Sequence, residues 1–313
     1  VHGTGTGVSA LDAVEAGNIQ AGLNLLVTST SSTLTGDNVQ LDKSSDHINI
    51  GNTLSGPFGT TVDDSDLDLL VDVVYKAKDS DTFDAEQRVK LGTPVLSHFR
   101  DSDYEELAGL SDKTPTVGLN ISSNQFIMNY TLDFLDDAES DVVSSELDDL
   151  EGSFLPLFGK QFYISDWDNG TANNQAGKLT LLDAAVSGTI KEGEVTPLTL
   201  NGVSYNVNIA YVDSDSAKLT VNDETTDMLL DGETAKLADG TYLGITDIAR
   251  LEVSGEVGTV DFSLGAGKLE LEHNTEIKLN GDTVSDVRSF LRKGSPSSGV
   301  EKVDYIAIEW KAD

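Results

Sequence analysis

Aspartates that alternate along the chain have the types and spacing best suited to metal chemistry. Asp64, Asp66 and Asp68 lie in the sequence DSDLD, and Asp166 and Asp168 lie in SDWDNG. Alternating carboxylates on a turn can converge on a hard cation such as Ca²⁺, which takes about 6 to 8 oxygen ligands. None of these segments completes a D-x-D-x-D-G loop with a distal glutamate, and D-x-D is common at this acidity, so a solvated acidic face is favoured over a specific site. The cofactor prediction is Ca²⁺ or none, with these five aspartates as the candidate ligands.

Three sequons mark candidate glycosylation sites, at Asn120, Asn129 and Asn169. Each satisfies the pattern N-x-S/T without proline, which glycosyltransferases require on chains that reach the cell exterior. Asn129 and Asn169 are the favoured sites, because Asn169 precedes a glycine turn that an enzyme could reach.

Signatures of nucleophilic catalysis are missing from the sequence. The four histidines lack metal-ligand spacing, and no G-x-S-x-G elbow is present. The 54 acidic residues make a chance carboxylate pair unavoidable, but two tryptophans give little material for a sugar platform. We therefore predict that the chain is not an enzyme, and a secreted carbohydrate-active enzyme is the least favoured alternative.

The opening VHGTGTGVSALDAV resembles a phosphate-binding glycine loop only superficially. A dinucleotide fingerprint needs a buried strand before the glycines and an acidic residue about 20 positions later. Only Val1 and His2 precede the glycines, and the stretch 27–33 carries no carboxylate. The pattern instead indicates a strand, a turn and a short amphipathic helix over residues 8–27.

Composition narrows the class of protein. The 313 residues include 20 lysines and arginines against 54 aspartates and glutamates, a formal net charge of -34. This surface repels nucleic acid and anionic lipid and attracts cations. The chain has no cysteine and no run of about 18 apolar residues, so we expect neither disulfides nor a membrane span. Because it begins at Val1, we expect a mature secreted chain or an excised fragment.

Most of the sequence after the first 50 residues has the pattern of strands and turns, and the alternating stretch 203–212 is predicted as one strand. Asn201-Gly202, Asp231-Gly232, Asp239-Gly240 and Asn280-Gly281 are dipeptides that suit tight hairpins. Residues 285–293 are predicted as a short helix, and the acidic stretch 133–152 as a solvated connection. The fold prediction is mainly β, with immunoglobulin-like β-sandwich domains. The predicted organisation is a strand-helix segment at 1–50, a β-rich domain at 51–183 and a β-sandwich domain at 184–313.

Three segments resemble archaeal surface-layer proteins of the methanococcal and small-genome archaeal type. The first is VHGTGTGVSALDAVEAGNIQAGL at 1–23, which is similar to the start of the mature region of that family. The second is LPLFGKQFYISDWDNG at 155–170, and the third runs from LLDGETAKLADGTYLG to EIKLNG at 229–281. The three occur in the same order as in the family. Family members are generally longer, so the resemblance does not locate an anchor.

The resemblance implies a structural role outside the cell. A member of this family would be an extracellular subunit of the surface layer (S-layer), a glycoprotein that assembles with copies of itself into a lattice. An extracellular filament or adhesin built from similar domains is the alternative, since head-to-tail contacts that do not close give filaments. The predicted partner is therefore the chain itself, and no nucleic acid.

Overall fold

The fold is mainly β, as the sequence predicts. The computed structural model describes residues 47–99, 106, 109, 116–171, 175–183, 185–249, 257–296 and 300–313. Apart from the single residue 106, which is also helical, the helical elements in these segments are the short helix α1 (Ser55–Phe58) and a 3-10 turn (Asp68–Leu70). Neither is long or apolar enough to cross a bilayer. The predicted strand-helix segment falls almost entirely outside the described residues.

An antiparallel sheet of 11 strands forms the framework of the molecule. Its order is β1-β3-β6-β24-β23-β22-β21-β11-β10-β9, with β2 paired to β3. The strands are β1 (Thr61–Val62), β2 (Val73–Lys76), β3 (Thr82–Leu91), β6 (Phe126–Ser140), β9 (Phe154–Leu157), β10 (Lys160–Trp167), β11 (Lys178–Asp183), β21 (Gly267–Glu272), β22 (Thr275–Leu279), β23 (Asp282–Lys293) and β24 (Glu301–Lys311). Two hairpins stand apart, β4 (Val95–Phe99) with β5 (Thr116–Asn120) and β7 (Val142–Val143) with β8 (Glu146–Leu147).

Between β11 and β21 the chain leaves the large sheet and builds two smaller sheets, which we call the insert (residues 185–265). The four-stranded sheet has the order β12-β20-β19-β18, and the five-stranded sheet has β13-β14-β15-β16 with β17 paired to β15. The strands are β12 (Val186–Lys191), β13 (Thr196–Leu200), β14 (Val203–Val212), β15 (Ser216–Val221), β16 (Glu224–Thr225), β17 (Leu229–Leu230), β18 (Thr234–Lys236), β19 (Tyr242–Ala249) and β20 (Thr259–Gly265). The predicted domain limits and the immunoglobulin-like topology stay predictions.

Two apolar cores hold these sheets. The core of the large sheet includes Trp167, Tyr75 and Phe134, and that of the insert includes Phe262 and Val207. Burial of such side chains is the main favourable term in folding, about 25 cal/mol per Å² of apolar surface removed from water. A third, small cluster of Tyr163, Leu182 and Tyr242 joins the insert to the large sheet.

Strand and turn patterns predicted much of this arrangement. The alternating stretch 203–212 forms β14 with the predicted bounds. Asn201-Gly202 and Asn280-Gly281 take positive φ at both residues, as tight hairpin turns require. At Asp231-Gly232 and Asp239-Gly240 only the glycine has positive φ.

Two local predictions were wrong. Residues 285–293 belong to strand β23. Its buried positions are occupied by Ser289, Leu291 and Lys293, and because two of these are polar, the sequence does not show the apolar–polar alternation of a strand. Residues 133–152 are not a solvated connection. Strand β6 continues as far as Ser140, and beyond it the side chains of Leu147 and Leu150 are fully buried.

Gly244 lies where the insert approaches the large sheet most closely. A Cβ at this position would overlap Ser165 Oγ of β10 and approach Ser263 Oγ of β20 to 3.3 Å. The absence of a side chain at residue 244 therefore allows the two sheets to meet this closely. Tyr163 OH and Thr246 Oγ1, 3.2 Å apart, make a hydrogen bond across the same junction.

We predict that Gly244→Ala destabilises the protein by about 1 to 3 kcal/mol, because overpacking a closed junction forces the backbone apart. Gly188→Ala is the matched control in the same sheet, since its Cβ would meet neighbours at 3.5 Å or more, an ordinary contact. Urea unfolding should show a clear loss for the first variant and a small change for the second. Equal midpoints would show that the junction is not closely packed.

Candidate acidic cation site

The predicted aspartates do not come together in one place. Asp64, Asp66 and Asp68 are exposed on the turn after β1, whereas Asp166 is buried in β10 and Asp168 is exposed just beyond it. Asp63, which sequence reasoning passed over, organises the first turn by accepting hydrogen bonds from Ser65 N and Oγ. As ion ligands, all five aspartates stay predictions.

A β-bulge in β10 places Asp166 on the side of the insert. The pairing of β10 with β11 shifts between Ile164 and Asp166, which adds one residue to β10. Ile164 and Trp167 both lie in the core of the large sheet. In contrast, the side chain of Ser165 lies against Gly244 of the insert, and that of Asp166 lies against Gly232. The extra residue therefore lets Trp167 stay in the core while the neighbouring carboxylate points out of it.

The segment 141–152 brings two further carboxylates to Asp166. Its hairpin β7–β8 turns at Ser144 and Ser145, both with positive φ, and Leu147 and Leu150 anchor the segment in the core. Glu146 and Glu151 flank these leucines and face Asp166. Sequence analysis missed both glutamates because the segment was interpreted as solvated, although the leucines in ELDDLE were a signal for an anchored segment.

Glu146, Glu151 and Asp166 form what we call the acidic cluster. One carboxylate oxygen from each lies within 4.8 Å of the other two. Trp167 N donates a hydrogen bond of 2.7 Å to Glu151 Oε1, and Thr180 Oγ1 donates one of 3.4 Å to Asp166 Oδ2. In the described segments this is the one group of three acidic residues or histidines that are this close together.

The turn after β17 covers the acidic cluster from the insert. A Cβ on Gly232 would lie 2.8 Å from Asp166 Oδ1, so the glycine permits this close approach. Asp231, the preceding residue, is half-buried and adds a fourth negative group beside the cluster. The cluster thus has one wall from the large sheet, one from segment 141–152 and one from the insert.

Burial and mutual repulsion raise the pKa values of these carboxyl groups. Burial is the main cause for Glu151, whose pKa rises to about 9, and for Glu146, whose pKa rises to about 7 with Asp231 and Asp166 adding to the effect. Burial and the charge of Asp168 raise the pKa of Asp166 to about 6. Burial and the charge of Asp247 raise that of Asp231 to about 6. Without a cation, the cluster therefore holds protons at neutral pH.

This donor set fits a hard divalent cation. Two oxygens that each lie about 2.4 Å from one ion are at most about 4.8 Å apart, and the cluster meets this limit. None of the ion pairs involves Glu146, Glu151 or Asp166, so no lysine or arginine in the described part of the chain neutralises them by direct contact. A bound cation would favour the deprotonated carboxylates and release their protons.

The three sequon asparagines lie in different environments. Asn120 is exposed at the end of β5. Asn129 lies within β6, between Lys90 of β3 and Glu309 of β24, and its Oδ1 is buried. Asn169 is half-buried, and its Oδ1 accepts a hydrogen bond from Lys293 Nζ. Glycosylation at the three sites stays a prediction.

We predict that, in the presence of a chelator, Glu151→Gln stabilises the protein at alkaline pH. The pKa of Glu151 is raised on folding, so its contribution to stability is full below about 4.5 and is lost as pH rises toward about 9. Glutamine is uncharged and does not have this pH dependence, so the unfolding free energy of the variant should exceed that of the wild type by on the order of a few kcal/mol at pH 9 and match it near pH 4.

Glu194→Gln is the control, because it removes the same charge from an exposed position in the insert. Urea unfolding at both pH values should leave this control close to the wild type. If the two variants changed with pH to the same extent, general charge repulsion, and not the cluster, would be responsible.

Comparison with known proteins gives no assignment: no family model, curated protein or solved structure matches this chain.

Proposed function

We propose that the chain is a non-enzymatic structural subunit of an archaeal cell-surface layer, which assembles with copies of itself into an extracellular lattice and uses divalent cations, in the first place Ca²⁺. The observation that carries the cation requirement is the acidic cluster, in which three carboxylates meet without a described cationic partner.

Two of the segments that resemble surface-layer proteins meet at this cluster. Residues 155–170 include β9 and β10 and supply Asp166, and residues 229–281 include the turn that supplies Asp231. This placement supports the proposal, because the resembling segments then share one structural task, namely joining the insert to the large sheet. A cation in the cluster would fix the orientation in which each copy presents the insert.

Charge is the main obstacle to assembly of such a chain. Each copy carries a formal charge of -34, and two unit charges 4 Å apart repel by roughly 4 kcal/mol at an effective dielectric constant near 20. Monovalent salt screens exposed charges only beyond about 8 Å at physiological ionic strength. Cations bound between close carboxylates, including the exposed Asp64, Asp66 and Asp68, would replace repulsion by coordination.

The hairpin β4–β5 offers an apolar surface for contact between copies. Val117, Leu119 and Ile121 alternate along β5 and its end, and each is more than 40% exposed. Within the described residues β5 pairs with β4 alone, so none of these residues pairs with its other edge. Such an edge is a template for strand addition. Head-to-tail addition that does not close would give the filament, which remains the second candidate.

We predict that a chelator dissolves assembled material without unfolding the subunit. EDTA at constant ionic strength should abolish sedimentation of the assembly while the far-UV circular dichroism stays unchanged, because apolar cores hold the fold. Added Ca²⁺ should restore the assembly, and negative-stain images should then show a lattice. Unchanged sedimentation in EDTA would show that the contacts do not depend on divalent cations.

A matched pair of variants tests whether the acidic cluster contributes. Glu151→Gln with Asp166→Asn should raise the Ca²⁺ concentration needed for assembly, by about tenfold or more. Glu192→Gln with Glu194→Gln removes the same charge from exposed positions of the insert and should leave that concentration unchanged. If the two double variants needed the same Ca²⁺ concentration, the acidic cluster would not contribute to assembly.

A further inference from the structure

A lysine, an asparagine and a glutamate from three parts of the large sheet meet below its surface. Lys293 ends β23, and only 5% of the residue is exposed. Its Nζ donates a hydrogen bond of 2.7 Å to Oδ1 of Asn169, which follows β10. Glu301, which begins β24, places its Oε2 3.5 Å from the same Nζ.

The Glu301 carboxylate lacks the hydrogen bond that its burial demands. Its Oε2 is buried and has no hydrogen-bond partner among the described residues, although it lies at an ion-pair distance from Lys293. Buried carboxylate oxygens are normally satisfied, so an unsatisfied one beside an amine calls for an explanation, and a chemical role is one of those known. The Lys293 amine thus lies between a proton acceptor, the Glu301 carboxylate, and an amide carbonyl, that of Asn169.

We propose that Lys293 and Asn169 become joined by an intramolecular isopeptide bond. Lys293 gives a proton to Glu301, and its Nζ lone pair then attacks Cγ of Asn169. The bond from Cγ to Nδ2 breaks as Glu301 passes protons to the leaving nitrogen. The Lys293 ammonium and the Asn169 amide are thereby converted into one secondary amide and an ammonium ion. No oxidant, reductant or added cofactor is needed for this balance.

The backbone around Asn169 holds the side chain in place for attack. Asn169 N donates to Ser145 O at 2.8 Å, and Asp168 N donates to Lys178 O at 2.8 Å. Gly170 has a φ of 70°, and a Cβ there would lie 2.7 Å from Gln175 O and from Gly177 N. These contacts fix the turn that follows β10. Two reacting groups that are held side by side gain a large effective concentration.

The bond would close a loop of wide span in a chain without cysteine. Asn169 and Lys293 are 124 positions apart, and the whole insert lies between them. A cross-link of this span restricts the unfolded chain, as a disulfide does. It would also consume the nitrogen to which a glycan at Asn169 would attach, so the two modifications exclude each other. The proposal does not rest on the surface-layer function.

Intact mass and peptide mapping test the bond. We expect purified full-length protein, after incubation at neutral pH, to be lighter than its sequence by one ammonia molecule. Protease digestion should release a branched peptide that joins the Asn169 and Lys293 segments. Asn169→Ala and Lys293→Met should each have the full sequence mass, and Glu301→Gln should link at least tenfold more slowly. Circular dichroism checks that each variant is folded.

A cyclic imide at the Asn169-Gly170 bond would also lose ammonia, and the Lys293→Met variant separates the two reactions. An imide does not need the lysine and would persist in that variant without a branched peptide. Wild-type protein that keeps its full sequence mass, or loses ammonia equally in Lys293→Met, would overturn the proposal. Wild-type linking rates in Glu301→Gln would overturn the role assigned to Glu301. Because the branched peptide is sought in the wild-type chain, the test stands even if a variant fails to fold.

Discussion

Like charges forced together at a buried junction are the constraint on which the arrangement of the molecule depends. The large sheet, the segment 141–152 and the insert each present a carboxyl group to the same half-buried space. Carboxylates in such a place must take up protons, bind a cation or move apart. The surrounding structure does not let them move apart, because Trp167 and Leu147 are held in the core and Gly232 lies directly against Asp166. We therefore expect the protonation of these carboxyl groups to affect how stably the insert joins the large sheet.

This junction also explains several residues that have no place in a simple strand pattern. The bulge in β10 turns two successive side chains, Ser165 and Asp166, toward the insert, and glycines at 232 and 244 make room for them. Tyr242 OH donates to Asn280 O of the large sheet, which adds a polar contact between the insert and that sheet. Apolar burial supplies the favourable free energy for each sheet separately. The glycines and the bulge, by contrast, decide how the insert meets the large sheet.

Sequence patterns predicted those parts of the fold that local rules control. Alternation gave the bounds of β14, and Asn-Gly dipeptides marked two hairpins, because side-chain direction and φ depend on neighbouring residues alone. Pairing of strands distant in sequence, such as β6 with β24, leaves no local trace. The acidic cluster was anticipated only in part: Asp166 was named from its spacing, but Glu146 and Glu151 join it through the tertiary fold. Strand β23 was missed because Ser289 and Lys293 occupy positions where the pattern demands apolar residues.

The central claim is that the acidic cluster binds a divalent cation, and luminescence of bound Tb³⁺, a Ca²⁺ substitute, tests it most directly. Trp167 follows Asp166 and donates its backbone N–H to Glu151, whereas Trp310, the other tryptophan, lies in β24 and is 42% exposed. With light that tryptophan alone absorbs, the account predicts sensitised Tb³⁺ emission that Ca²⁺ competes away. This emission should be lost in Trp167→Phe and kept in Trp310→Phe. Emission that persists in Trp167→Phe, or its absence from the wild type, would contradict the claim.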